Sequence, residues 1–164
     1  MLGYQGSPAP EQQQDATIFA GINSTYRAAQ RFFQLAARQA DDSNLRFHFN
    51  AMSTVHQQAI AQLPIPTTAQ ASDSNNELAA LEFWYLHQQL ALHSQPLKTA
   101  VLAELVTVLQ QQISVLKHLI NAVNSQHSKV TLAHLSAALQ IASDRLLPQL
   151  HVLPIAAQNL QTKY

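Results

Sequence analysis

The chain has 164 residues, enough for one domain with a real core. Apolar residues make up 47% and charged residues only 11%, and the nine basic side chains are matched by nine acidic ones. That composition excludes a disordered chain, and it offers no charged field to gather nucleic acid or anionic lipid. The absence of Cys excludes disulfides, thiol catalysis, iron–sulfur clusters and Cys-type zinc sites.

Ala, Leu and Gln dominate, and the periodicity predicts five helices. The opening MLGYQGSPAPEQQQ has neither a basic nor an apolar signal region, so residues 1–11 are expected to be a flexible start and the protein cytoplasmic. The first helix is predicted over 12–40, with Ile18, Ile22, Ala29, Phe33 and Ala36 on one face and Phe19, Tyr26 and Phe32 beside them. After the turn ADDSN, with Asp42 or Ser43 as cap, a second helix is predicted over 44–63. Leu45, Phe49, Met52, His56, Ala59, Ile60 and Leu63 form its stripe, so His56 sits among apolar positions.

Residues 64–76, PIPTTAQASDSNN, have no periodicity. Extended, such a link reaches about 40–45 Å, against about 30 Å for a 20-residue helix. It is therefore expected to run the length of a bundle and start the third helix parallel to the second. Ser74 to Glu77 reads as a capping box, and the third helix extends to about His93 with Leu78, Leu81, Tyr85 and Leu92 on one stripe. The fourth is predicted from Pro96 to Val123. Leu102, Val106, Leu109, Ile113, Leu116, Ile120 and Val123 are flanked by Val101, Leu105, Val108, Val115 and Leu119, an arc wide enough to need cover on two sides. A fifth helix over 131–147 is a candidate for the second cover, and Pro148 and Pro154 are expected to end it and break the remaining C-terminal stretch. No uninterrupted apolar run of 18 residues is present, so no membrane span is expected.

The resulting expectation is an all-α domain over 12–164, made of two helical hairpins, one long crossover and an appended C-terminal fifth helix. The segment YRAAQRFFQLAARQADDSNLRFHFNAMSTVHQQAIAQL resembles the first hairpin of ferritin-like and rubrerythrin-like proteins, in its aromatic pair, Ala-rich turn, acidic break, Leu45, Phe49 and late His. The likeness reaches over about residues 15–122 and is closest to a small group of uncharacterised bacterial ferritin-like bundles. It implies a ferritin-like four-helix bundle with helices running up, down, down and up. In iron-binding members it also implies a di-iron site built from four Glu and two His, with E-x-x-H on the second and fourth helices.

Carried onto this chain, that site fails. Ser53 and His56 stand in one E-x-x-H place and Val115 and His118 in the other, and the first helix has no acid between Asp15 and Asp41. Glu82 and Glu104 are the only mid-helix carboxylates left, too few to neutralise and bridge two irons. A mononuclear zinc or iron site from His56, Glu82, Glu104 and His118 is the alternative, since Glu104, Gln111 and His118 recur every seven residues. The simpler reading makes His56 a core histidine bonded across the bundle and the other three a polar strip. Met52, four residues before His56, reads as core filler rather than a haem ligand.

Thr54 near His56 has no acid or oxyanion framework around it, so a hydrolase is not supported. The Gln clusters read as a neutral solvated helix face. Phe83, Trp84 and Tyr85 are consecutive, and at about 100° per residue they cannot all face one core. Trp84 or Phe83 is expected to point outward, with Trp84 the interface candidate. The sequence therefore predicts a non-enzymatic bundle without cofactor, in a structural or interaction role and paired as a homodimer. A mononuclear metal protein and a partner-binding adaptor are the alternatives.

Overall fold

The computed structural model describes residues 10–65 and 75–162, with side chains as far as Leu150. It contains five helices: α1 (Pro10–Gln39), α2 (Ser43–Gln62), α3 (Asn76–Ser94), α4 (Thr99–Ala122) and α5 (Gln126–Thr162). The first, second and third stand close to where the periodicity puts them. Pro10 and Glu11 already belong to α1, two residues before its expected start, and residues 1–9 lie outside the described part. Asp42 caps α2, its side chain accepting from the Asn44 amide at 3.0 Å. Asn75 caps α3, accepting from the Glu77 and Leu78 amides; Ser74 lies outside the described residues. α4 starts at Thr99 after an extended Lys98, which leaves Pro96 in the connection instead of the first turn.

The fifth helix departs most from expectation. Ser125 caps it, its hydroxyl accepting from the Ser128 amide at 3.0 Å, and the helix runs through both Pro148 and Pro154. Pro148 removes one backbone donor. Pro148 and Asp144, whose carbonyl would have been its partner, are both exposed residues, so the break in the hydrogen-bond ladder falls on the outer side of α5.

α1 packs on α2 and α3, α5 packs on α2 and α4, and a thinner α3–α4 contact closes the ring. Hydrogen bonds fix the directions. Thr25 Oγ1 donates to the Leu78 carbonyl and Gln39 Nε2 to the Leu92 carbonyl, so α1 and α3 are parallel. Gln62 lies with His134 and Phe47 with Arg145, so α2 and α5 are antiparallel. The helices thus run up, down, up, down and up, which corrects the expected up-down-down-up order. The contour of the 64–76 link is sufficient for either arrangement, but α2 ends and α3 starts beside the same first turns of α1. α5 is also not an outside appendage; it occupies a place in the ring between α2 and α4, and so supplies the second cover that the wide arc of α4 requires.

α4 is long and apolar enough to cross a membrane by composition, with a mean hydropathy of 1.3. Leu102, Leu105, Leu109, Ile113 and Leu116 are nevertheless buried in the bundle, which makes it a core helix. The core is continuous from Phe19 and Ile22 through Phe32, Phe33, Phe49, Met52 and Tyr85 to Leu132, Leu139 and Leu146.

One polar clamp ties the first turns of α1 to the α4–α5 connection. Buried Asp15 accepts the Asn124 amide at 2.8 Å on Oδ1 and the Ser125 amide at 3.1 Å on Oδ2. Burial works to raise its pKa, but the hydrogen bonds from the Asn124 and Ser125 amides and from the Ser128 and Asn124 side chains outweigh it and hold the carboxyl below the usual range. Asp15→Asn replaces one acceptor oxygen with an NH₂ facing an amide N–H. We expect it to cost about 1–3 kcal/mol, read as a lower urea midpoint at pH 7; an unchanged midpoint would refute the clamp.

Candidate functional site

Halfway along the bundle, four helices each place one polar side chain in the apolar interior. Tyr26 comes from α1, His56 from α2, Tyr85 from α3 and Gln112 from α4. The stripes explain why they are there: each stands at a core spacing of its helix, flanked by buried apolar residues such as Ile22, Ala29, Met52, Ala59, Leu81 and Leu116. His56 is 0% exposed.

The hydrogen bonds form one chain with one consistent set of protons. His56 Nδ1 lies 2.7 Å from the Met52 carbonyl, which can only accept, so Nδ1 carries the hydrogen. In a neutral ring Nε2 then accepts, and the Gln112 amide nitrogen donates to it at 3.1 Å. Gln112 Oε1 in turn accepts from the Tyr85 hydroxyl at 2.7 Å. Burial lowers the His56 pKa to about 4, against the opposing pull of the Met52 carbonyl, which is why the neutral ring is the form that fits.

Tyr26 stacks a tilted ring on His56, with centroids 4.7 Å apart. Its hydroxyl lies beside Gln112 but makes no hydrogen bond of ordinary geometry. Burial drives both phenols above their usual range, and the nearness of Tyr26 pushes Tyr85 further. Phe33 fills the space between, 5.4 Å from the His56 ring and 5.9 Å from Tyr85.

The four metal-candidate side chains are not brought together. Glu104 and His118 are exposed on α4, and both nitrogens of His56 are engaged in the core. Glu82 is half-buried and accepts from Ser24 Oγ at 2.6 Å. Among the described residues, no three His, Asp or Glu side chains group closely enough to hold a metal ion. Of Phe83 and Trp84, one of which was expected to point outward, it is not the interface candidate Trp84 that does so. It is half-buried, edge-on to Phe32 at 5.3 Å and to Tyr85 at 5.4 Å, and Phe83 is the residue that points out.

Gln112 is the member that the sequence pattern conceals, because it sits in the run Gln110-Gln111-Gln112 and groups by composition with the solvated face. Its spacing carries the signal. Leu105, Val108, Leu109, Val115, Leu116 and Leu119 all lie three, four or seven residues away and are all buried.

The surface clefts lie elsewhere. One, with a volume of about 430 Å³, opens at the end of the bundle between Asp15, Phe19, Leu63 and Ser128. Smaller clefts line the α2–α5 seam. None of these clefts includes Tyr26, His56, Tyr85 or Gln112. Comparison with protein-family models, with curated proteins and with solved structures finds no match. What the structure itself defines is an all-helical, five-helix bundle with a polar centre built from four of its helices.

Proposed function

We propose that this protein is a non-enzymatic helical bundle with a structural or protein-interaction role, acting through its surface and pairing with a second copy of itself in the cytoplasm. The observation that carries this reading is the closed central chain Tyr85–Gln112–His56–Met52, in which both nitrogens of His56, the one buried histidine among the described residues, are already engaged. A catalytic or metal-binding histidine needs a free nitrogen and access. The work of this cluster is to set register: a buried polar contact is made only when α2, α3 and α4 stand at one depth relative to each other. The kinship with ferritin-like bundles is offered for the α1–α2 hairpin alone, on its aromatic pair, acidic break and His56. The alternating helix directions argue against extending it to the whole chain.

The test is elemental analysis of untagged protein, with the ¹⁵N imidazole shifts of His56 followed as zinc and ferrous iron are added. The expected result is no stoichiometric metal and an unmoved neutral His56 with the hydrogen on Nδ1. One bound ion per chain that shifts the His56 nitrogens would replace this reading with the metal-binding one.

A further inference from the structure

The outer face of α3 is apolar where a surface helix is normally polar. Leu78, Leu81, Tyr85 and Leu92 turn inward, yet Phe83 is 70%, Leu90 71% and Leu86 43% exposed on the other side. The spacing of three and four residues puts them on one stripe. His87 completes it, stacked on Phe83 with centroids 6.1 Å apart and planes within 13°. A helix that is apolar on both faces is one that is covered on both.

We propose that a second copy of this chain covers that face, the two α3 helices crossing antiparallel about a two-fold axis. This deepens the self-association proposed above and rests on it. Three observations favour a second copy over another occupant. First, no Asp, Glu, Lys or Arg occurs in the sequence between Glu82 and Lys98, so the face meets its own image without repulsion and gives a charged partner nothing to pair with.

Second, the stripe is symmetric. Phe83 and Leu90 are equally distant from the midpoint between Leu86 and His87. An antiparallel crossing there lays each Phe83 on the second copy's Leu90 and each Leu86 on the second copy's His87. That is the self-complementary pairing a two-fold interface requires.

Third, the size sets the strength of the pair. The 19 residues of α3 give a strip roughly 28 Å long and about 10–12 Å wide, on the order of 300 Å² per copy. At roughly 600 Å² in total this is below the standard size of a specific interface, so the dimer is a weak, concentration-dependent one rather than an obligate one. Trp84 supports the strip from beneath: its ring wedges against Phe32 and Tyr85 at the base of the exposed stripe.

Sedimentation velocity of the full chain, from about 1 to several hundred micromolar, tests this with two exposed-site variants, Phe83→Glu and Leu90→Glu, and a control, Ile141→Glu, on the exposed α5 surface. Circular dichroism confirms that each variant folds. The expected result is a wild-type and Ile141→Glu monomer–dimer equilibrium, weakened at least ~30-fold in both α3 variants, as for loss of a central anchor. Because the chain has no Cys, Leu86→Cys adds a second readout: oxidation should link two copies close to the axis. A wild-type dimer that survives both α3 variants and yields no Leu86→Cys crosslink overturns the α3 interface while self-association stands. A wild-type monomer at every concentration overturns both.

Discussion

Gln112→Leu is expected to lower the unfolding free energy by about 2–6 kcal/mol. The substitution keeps the volume but removes the group that joins two others. His56 Nε2 loses its donor and the Tyr85 hydroxyl loses its acceptor. Each orphaned buried group costs about 1–3 kcal/mol, and neither the end cleft nor the α2–α5 seam brings water to either. Removing the whole chain is expected to cost far less. In a triple variant, His56→Leu with Tyr85→Phe and Gln112→Leu, no polar atom of those three side chains remains to be left unpaired, so most of the loss should return. Tyr26→Phe should be neutral or stabilising, because it deletes a buried hydroxyl that has no hydrogen bond. Urea melts at pH 7 measure all three. If Gln112→Leu stays within about 0.5 kcal/mol of wild type, the variation usual for surface positions, then no such hydrogen-bonded chain holds the core.

The second large effect is on acid stability. His56 titrates near 6.5 in the unfolded chain and at about 4 when buried. Between those values the unfolded state binds the extra proton and the folded state does not, so stability falls as pH drops. Its contribution is intact above about pH 6.5, is lost progressively down to about 4, and changes no further below that. The difference of roughly 2.5 units, at about 1.4 kcal/mol each, amounts to about 3 kcal/mol. Asp15 acts in a lower window. Its folded pKa is depressed, so its stabilising effect is present above the unfolded value of 3.8 and is lost as pH falls through the folded one. Urea midpoints at pH 7, 5.5 and 4 should decline through the His56 window in wild type, and the triple variant should flatten that decline. An equal slope in both proteins would assign the acid sensitivity to other groups.

Much of the fold is written in spacing. The stripes of Ile22, Tyr26 and Phe33 and of Phe49, Met52 and His56 mark the inner faces of α1 and α2, and the wide arc of α4 announces two neighbours. That His56 must find a partner on a facing helix is also legible, since a buried imidazole without one is costly. Other features depend on three-dimensional choices that local patterns do not encode. The 64–76 link has contour to spare, so its composition does not decide whether α3 runs parallel to α1 or to α2. Pro148 reads as a breaker, yet it and Asp144, the residue it would have bonded, both lie on the exposed side of α5. Glu104 and His118 share a line with Gln111, but that line is the exposed side of α4, one position away from the buried line of Gln112. Phe83 and Trp84 differ by a single step of about 100°, and only the packed partner Phe32 shows which one turns in.

The place of α5 in the ring has a consequence for how the chain is made. The α1–α2 and α4–α5 contacts join neighbours in sequence, but the α2–α5 seam joins the second helix to the last, and the Asp15 clamp closes a loop of about 110 residues. On the ribosome, α2 emerges long before its cover does, with the side of Val55 and Ala59 that will meet α5 still bare. The nascent bundle is therefore an open horseshoe until the last helix arrives. The interval before that closure, when apolar sides of α2 and α4 are both unshielded, is the point at which the chain is most exposed to aggregation and to capture by a chaperone.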